Sequence, residues 1–252
     1  MTTAHTTLPS LPTYFGGKGS NGVHQTIINE IPAHEQFVSG YLGACSILRH
    51  IRPANRIIGI EPNGAVLAHW YNRKCSIPLE LELIQGKFLD VLPLLTLSAA
   101  TYIYLDPPYP LDSRKQARLR YEYEMDDTDH KALLATIKEI DCPVGISTYP
   151  NRLYARELKD WRRIEFQATT RRGMATEWFY MNYPKPKLLH DYSYYGKSYH
   201  KRQDFKRRKH RLLNKFEAMS EQERNHYIRL LTERYPISEE AALLPIRSAE
   251  VG

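Results

Sequence analysis

Residues 101–109 read TYIYLDPPY, and the way this stretch must behave decides the fold. Thr101–Leu105 is a short, buried-looking run bounded by turn residues, as expected of a strand covered on both faces. Pro107 and Pro108 then end it. Two consecutive prolines can neither continue a ladder nor enter a helix interior, so the chain turns rigidly at the strand's carboxyl end. In an open α/β sheet that is where ligands bind. The turn offers the Asp106 carboxylate, a Pro107 carbonyl with no competing amide proton at Pro108, and the ring of Tyr109. Two acceptors and an aromatic face suit a planar amine carried on a heterocycle.

Outward from that turn, apolar runs alternate with helical patterns. Further strands are expected over Gln36–Ser39, Arg56–Ile60, Leu81–Ile84, Pro143–Ser147, Arg163–Ala168 and Glu177–Tyr183. Helices are expected over Gly22–Ile31, Cys45–Ile51, Gly64–Arg73 and Thr128–Ile140, with Pro62 ahead of the third and Thr128 capping the fourth. Such alternation predicts a mostly parallel sheet covered on both faces. Beyond Pro143 strands adjoin without helices, so the last part of the sheet is expected to be antiparallel.

The chain has 252 residues, 42% hydrophobic and 25% charged. This composition excludes collagenous, wholly disordered and disulfide-scaffold classes. No apolar run approaches the roughly 18 residues of a membrane span. Residues 1–13 lack the cationic and apolar regions of a secretory signal and are expected to be a flexible leader. Cys45, Cys75 and Cys142 show no paired spacing, which argues against a disulfide framework and a metal site and for a reducing cytoplasm. The net charge is +7, yet Lys185–Lys215 alone holds eleven Lys/Arg against two Asp, so the remainder sums to −2. A near-neutral body with one basic segment is the footprint of a polyanion partner, most often nucleic acid. That segment also holds four tyrosines. Ser220 and Glu223 form a capping-box pattern before a helix reaching about Arg234. The stripes Phe205, Leu212, Leu213, Phe216, Met219 and Tyr227, Ile228, Leu230, Leu231, Tyr235 predict two amphipathic helices packed on each other or on the body.

LDPPY resembles the catalytic motif of S-adenosylmethionine-dependent methyltransferases that act on amino groups. Tyr14-Phe15-Gly16-Gly17-Lys18 resembles the motif that opens the Dam-like (D12 class) adenine-specific DNA N6-methyltransferases. Phe37–Leu48, Ile57–Asn63 and Gly86–Leu92 follow in that family's order, and Thr176–Pro184 resembles its sheet-closing strand. The likeness covers about Tyr14 to Pro184. It implies an α/β, Rossmann-like methyltransferase sheet with antiparallel last strands over residues 14–184, followed by a basic, tyrosine-rich helical extension over 185–252. It implies S-adenosylmethionine as cofactor, held by Tyr14, Lys18, Gly43, Glu61, Asp90 and Asp106. Glu61 would take the ribose diol, as a strand-end acid does in nucleotide-binding α/β folds. Asp106, Pro107 and Tyr109 would carry catalysis on an adenine flipped from DNA. A cognate restriction nuclease and a prokaryotic or phage-encoded, cytoplasmic setting belong to the same implication.

Two departures stand out. Where relatives have D/E-P-F-x-G-x-G, this chain has Ser39-Gly40-Tyr41-Leu42-Gly43-Ala44-Cys45, which adds a Cβ where backbone crowds the ligand and predicts weakened cofactor binding. Only fifteen residues separate Asp90 from Asp106, too few for the target-recognition domain many relatives insert there. Nucleic-acid contact is therefore expected from Arg114, Lys115, Arg118 and Arg120 and from Lys201, Arg202, Lys206, Arg207, Arg208 and Lys209. An RNA adenine-N6 methyltransferase and a non-catalytic nucleic-acid-binding homologue are the competing readings.

Overall fold

The computed structural model describes residues 22–72, 81–114, 123–170 and 173–236. Seven strands form one sheet: β1 (Gln36–Ser39), β2 (Arg56–Glu61), β3 (Leu81–Gln85), β4 (Thr101–Leu105), β5 (Val144–Thr148), β6 (Arg162–Thr170) and β7 (Gly173–Met181). Their order is β3-β2-β1-β4-β5-β7-β6. The five strands β1 to β5 run parallel, and β7 lies antiparallel between β5 and β6. All seven expected strands form. β7 begins at Gly173 rather than Glu177, because its first half is exposed and carries no apolar run.

Alternation along the strands divides the core into two layers. Phe37, Ile57, Tyr102, Tyr104, Phe179 and Met181 face α1 (Val23–Ile28), α2 (Ser46–His50) and α3 (Gly64–Tyr71). Val38, Ile58, Ile60, Ile103, Leu105, Val144 and Ile146 face α4 (Phe88–Val91), α5 (Asp127–Lys138) and α6 (Arg152–Glu157). Helices on both faces explain why these strands lack a polar side. The expected Thr128 cap is corrected: Asp126 accepts from Asp129 N, while the Asp129 carboxylate accepts from Asp126 N. The third helix is capped by the Asn63 side chain, which accepts from Ala65 N and Val66 N.

Past β7, a strap docks at the opposite end of the sheet from the prolines. Leu189 bridges to Pro32, His190 N donates to Ile31 O at 3.2 Å, and Arg52 N donates to the Asp191 carboxylate at 2.7 Å. The strap leads into α7 (Tyr199–Glu217) and α8 (Glu221–Arg234), capped by Ser198 and Ser220. Both helices were expected to bury their apolar stripes. Neither contains a buried residue: Phe216 and Tyr227 meet with ring centroids 6.3 Å apart, while Leu212 and Ile228 remain 56% and 50% exposed. The stripe spacing is helical, but its members stay half-buried or exposed, with Phe205 meeting only Tyr195 of the strap among the aromatic contacts of the described residues.

Candidate active site

The chain runs outward from β1 through β2 to β3, then returns to place β4 on the other side of β1. A parallel sheet opens a crevice at such a reversal, beyond the strands' carboxyl ends. The Gly40–Cys45 loop leaves β1 on one side of it, and Asp106–Tyr109 leaves β4 on the other. Gly40 N donates to Tyr104 O at 3.0 Å, which joins the two exits. A Cβ at Gly40 would collide with Leu105 and Phe88, so only glycine lets the loop leave the sheet here.

Glu61, the last residue of β2, organises that loop. Its side chain is 5% exposed; Oε2 accepts from Gly43 N at 2.9 Å and Oε1 from Asn63 N at 3.0 Å. Gly43 has φ of +41°, which disfavours residues with a Cβ, and its carbonyl accepts from the Trp70 indole at 2.7 Å. The strand-end acid thus fixes the glycine turn expected to border the cofactor. At the loop's far end Cys45 lies 3.5 Å from both Ser39 Oγ and Leu48 N. Burial pushes its thiol pKa up, with the nearby Asp106 carboxylate adding to the rise.

On the other side of the crevice, Asp106 is partly exposed, and its charge acts on Cys45, Tyr104 and Tyr154. Burial raises the Tyr104 pKa well above its usual value, and the carboxylates of Asp106 and Glu177 reinforce it. The Tyr104 hydroxyl lies 3.4 Å from Ser147 Oγ. Tyr109 is 8% exposed, meets the Tyr149 ring edge-on at 4.5 Å, and donates its hydroxyl to Glu177 Oε2 at 3.4 Å. Its ring is therefore held from two sides. Glu177, Tyr149 and Ser147 were missed in the sequence. Glu177 sits in a strand whose alternation is masked by the exposed half of β7, and nothing local in the chain announces its partnership with Tyr109, 68 residues away.

Among the remaining candidates, Asp90 lies exposed in the first turn of α4, at the β3 side of the same edge. Tyr14, Lys18, Lys115, Arg118 and Arg120 fall outside the described residues. Arg114 is a correction. Expected as a phosphate contact, its side chain is only 5% exposed, and both terminal nitrogens donate to Glu124 at 2.9 and 2.7 Å while Nε donates to Tyr109 O at 2.7 Å. The guanidinium braces the Asp106–Tyr109 turn from within. Lys201, Lys206, Arg207, Arg208 and Lys209 are exposed on α7, and Arg202 is partly so, donating to Gly196 O at 3.4 Å. Among the described residues no group of three or more His, Cys, Asp or Glu is placed to hold a metal ion, and no helix is long and apolar enough to cross a membrane.

No family model and no curated protein matches the chain. Solved structures do. An rRNA methylase from Streptococcus thermophilus aligns at 10% identity and a TM-score of 0.44, over 63% of this chain and 92% of that one. The N-terminal domain of human METTL16 in complex with SAH aligns at 8% identity and 0.42, over 60% and 63%. A precorrin 8w decarboxylase from Methanobacterium thermoautotrophicum aligns at 9% and 0.44, over 70% and 97%. Values this low leave the reading of the site to the chain's own geometry.

Proposed function

We propose that the protein transfers a methyl group from S-adenosylmethionine to the N6 amine of an adenine in DNA. One observation carries this reading: the Asp106–Tyr109 turn and the loop fixed by Glu61 meet across the crevice where the sheet reverses. An amine-binding turn and a nucleotide-binding edge are there brought to one place.

The residues fit that cofactor. Glu61 closes β2 beside the positive-φ Gly43 turn that it holds through Gly43 N, the strand-end position from which an acid accepts from a ribose diol in nucleotide-binding α/β folds. When bound, the cofactor supplies an electrophilic methyl on a sulfonium centre. The chain's task is to make a poor nucleophile competent. Asp106 and the Pro107 carbonyl accept hydrogen bonds from the two N–H groups of the exocyclic amine, favour a pyramidal nitrogen and direct its lone pair at the methyl, so that the C–N bond forms as the methyl–sulfur bond breaks and the nitrogen afterwards gives up one proton to solvent. Positive charge develops on that nitrogen beside Asp106, so the carboxylate stabilises the transition state more than the ground state. A stacked adenine cannot reach the turn, so the base is flipped out to lie on Tyr109. Tyr149 and Glu177 hold that ring in position before the base arrives. Exposed cations on α7 supply phosphate contacts, which position a nucleic acid without reading its sequence.

Incubating the protein with methyl-labelled S-adenosylmethionine and mixed-sequence duplex DNA, followed by digestion to nucleosides, is expected to yield N6-methyladenine. Label entering RNA of the same sequence in preference to DNA would move the substrate to RNA. Cofactor binding by calorimetry with no label in either polymer would overturn the reading.

A further inference from the structure

The strap between β7 and α7 is buried over Leu189–Asp191 and comes to the surface from Tyr192 on. His190 stacks on His34 with ring centroids 3.7 Å apart, the Asp191 carboxylate accepts from Arg52 N and Ser193 N, and Tyr194 O accepts from Asn29 Nδ2 at 2.7 Å. These anchors fix the backbone. Tyr192 and Tyr195 stay 41% and 45% exposed on it, with rings 6.0 Å apart, and Tyr199 at the start of α7 is 64% exposed. Tyr195 leans on Phe205 of α7 at 4.7 Å, so this aromatic cluster continues into the basic helix. Lys197, Lys201 and Lys206 are exposed along the same stretch.

Lysines alone would answer to any phosphate backbone. Three half-exposed aromatic rings among them, Tyr192 fixed by its hydroxyl accepting from Leu189 N and Tyr195 by Phe205, answer to something else: nucleobases with uncovered faces. A duplex buries those faces in its own stack, whereas a single strand offers them. Stacking a base on an aromatic side chain contributes about 1–3 kcal/mol and tolerates any sequence. We propose that Tyr192, Tyr195 and Tyr199, with Lys197, Lys201 and Lys206, form a platform for single-stranded DNA, at which bases stack on the rings and phosphates meet the lysines. The platform rests on the methyl-transfer reading only for the choice of DNA over RNA. A flipping enzyme that also grips unpaired DNA would favour substrates already opened.

The native full-length chain tests this by fluorescence anisotropy, with no cofactor and no turnover. A labelled single strand is compared with the same length of abasic strand, which keeps every phosphate and lacks every base. Abasic DNA is expected to bind at least tenfold more weakly, with an unchanged slope of log affinity against log salt. Tyr195→Leu with Tyr199→Leu keeps apolar volume against Phe205 but removes two rings. It is expected to reproduce the tenfold loss on the normal strand and leave the abasic affinity unchanged, while the matching phenylalanine pair retains native binding. Equal affinity for normal and abasic strands overturns the platform whatever the methylation assay gives. Tighter binding of the ribonucleotide strand of the same sequence overturns its assignment to DNA.

Discussion

The Asp106 carboxylate is partly exposed at the end of β4, and in the proposed reaction it accepts from the target amine. Asp106→Ala is therefore expected to lower single-turnover methyl transfer at least about 10²-fold and to leave the thermal midpoint near native; substantial residual turnover in a quench assay would remove Asp106 from the reaction. Arg114 and Glu124 make the opposite case. Removing one partner strands a buried charge, so Glu124→Ala should cost about 3–5 kcal/mol in urea unfolding. Replacing both residues by leucine should cost much less, and the double variant should keep the native salt dependence of DNA binding because Arg114 faces Glu124 and not a phosphate. Asp106, Pro107 and Tyr109 were legible because prolines after an apolar run leave the backbone few choices. The role of Arg114 was not: four cations in a short segment look alike until the chain folds back to set one of them against Glu124 and the Tyr109 carbonyl.

Strands and helices differ in how far the sequence exposes them. β1, β2, β4 and β5 are largely apolar runs bounded by turn residues, and the two core layers keep nearly every one of their side chains out of water, so composition alone marks them. Short elements escape that logic. α4 and α6, of four and six residues, have too few turns to show a period, and tertiary contacts rather than local preference stabilise them. α7 and α8 show the period clearly, but a stripe reveals only that one face is apolar, not what covers it. For α7, Arg207→Glu, Arg208→Glu and Lys209→Glu together should weaken DNA binding about equally across sequences. The salt slope should flatten by up to about 0.9 for each phosphate that the helix no longer neutralises. A truncation control belongs after Ser198 rather than after Pro184, because the earlier cut would also remove Leu189, His190 and Asp191, which are buried against the body. Unchanged salt dependence in both proteins would place the DNA elsewhere on the molecule.

For the molecule as a whole, the His34–His190 stack makes stability sensitive to acid. Burial holds His34 well below its usual value, with His190 and Arg52 adding repulsion, and lowers His190 to about 4. Unfolding frees both rings to take up protons near pH 6.5, where the native chain does not. The unfolded state therefore binds more protons between these values, and native stability falls as the pH drops from about 6.5 towards 4, by at most about 1.4 kcal/mol per pH unit for each ring. Thermal midpoints should accordingly be level above pH 7 and decline below 6.5. His190→Asn should start lower at neutral pH and decline less steeply; an equally steep decline would assign the acid sensitivity to other groups.

The bidentate ion pair between Arg114 and Glu124 closes the chain on itself across residues 115–123. Because Arg114 also grips the Tyr109 carbonyl, residues 114 and 124 are both pinned beside the Asp106–Tyr109 turn. Each doubling of the enclosed length would cost only about 0.6 kcal/mol of closure entropy, a small charge against a buried pair. The clasp thus works as a socket. Foreign segments of different length spliced between Arg114 and Glu124 are therefore expected to leave the Asp106–Tyr109 turn beneath the clasp in place.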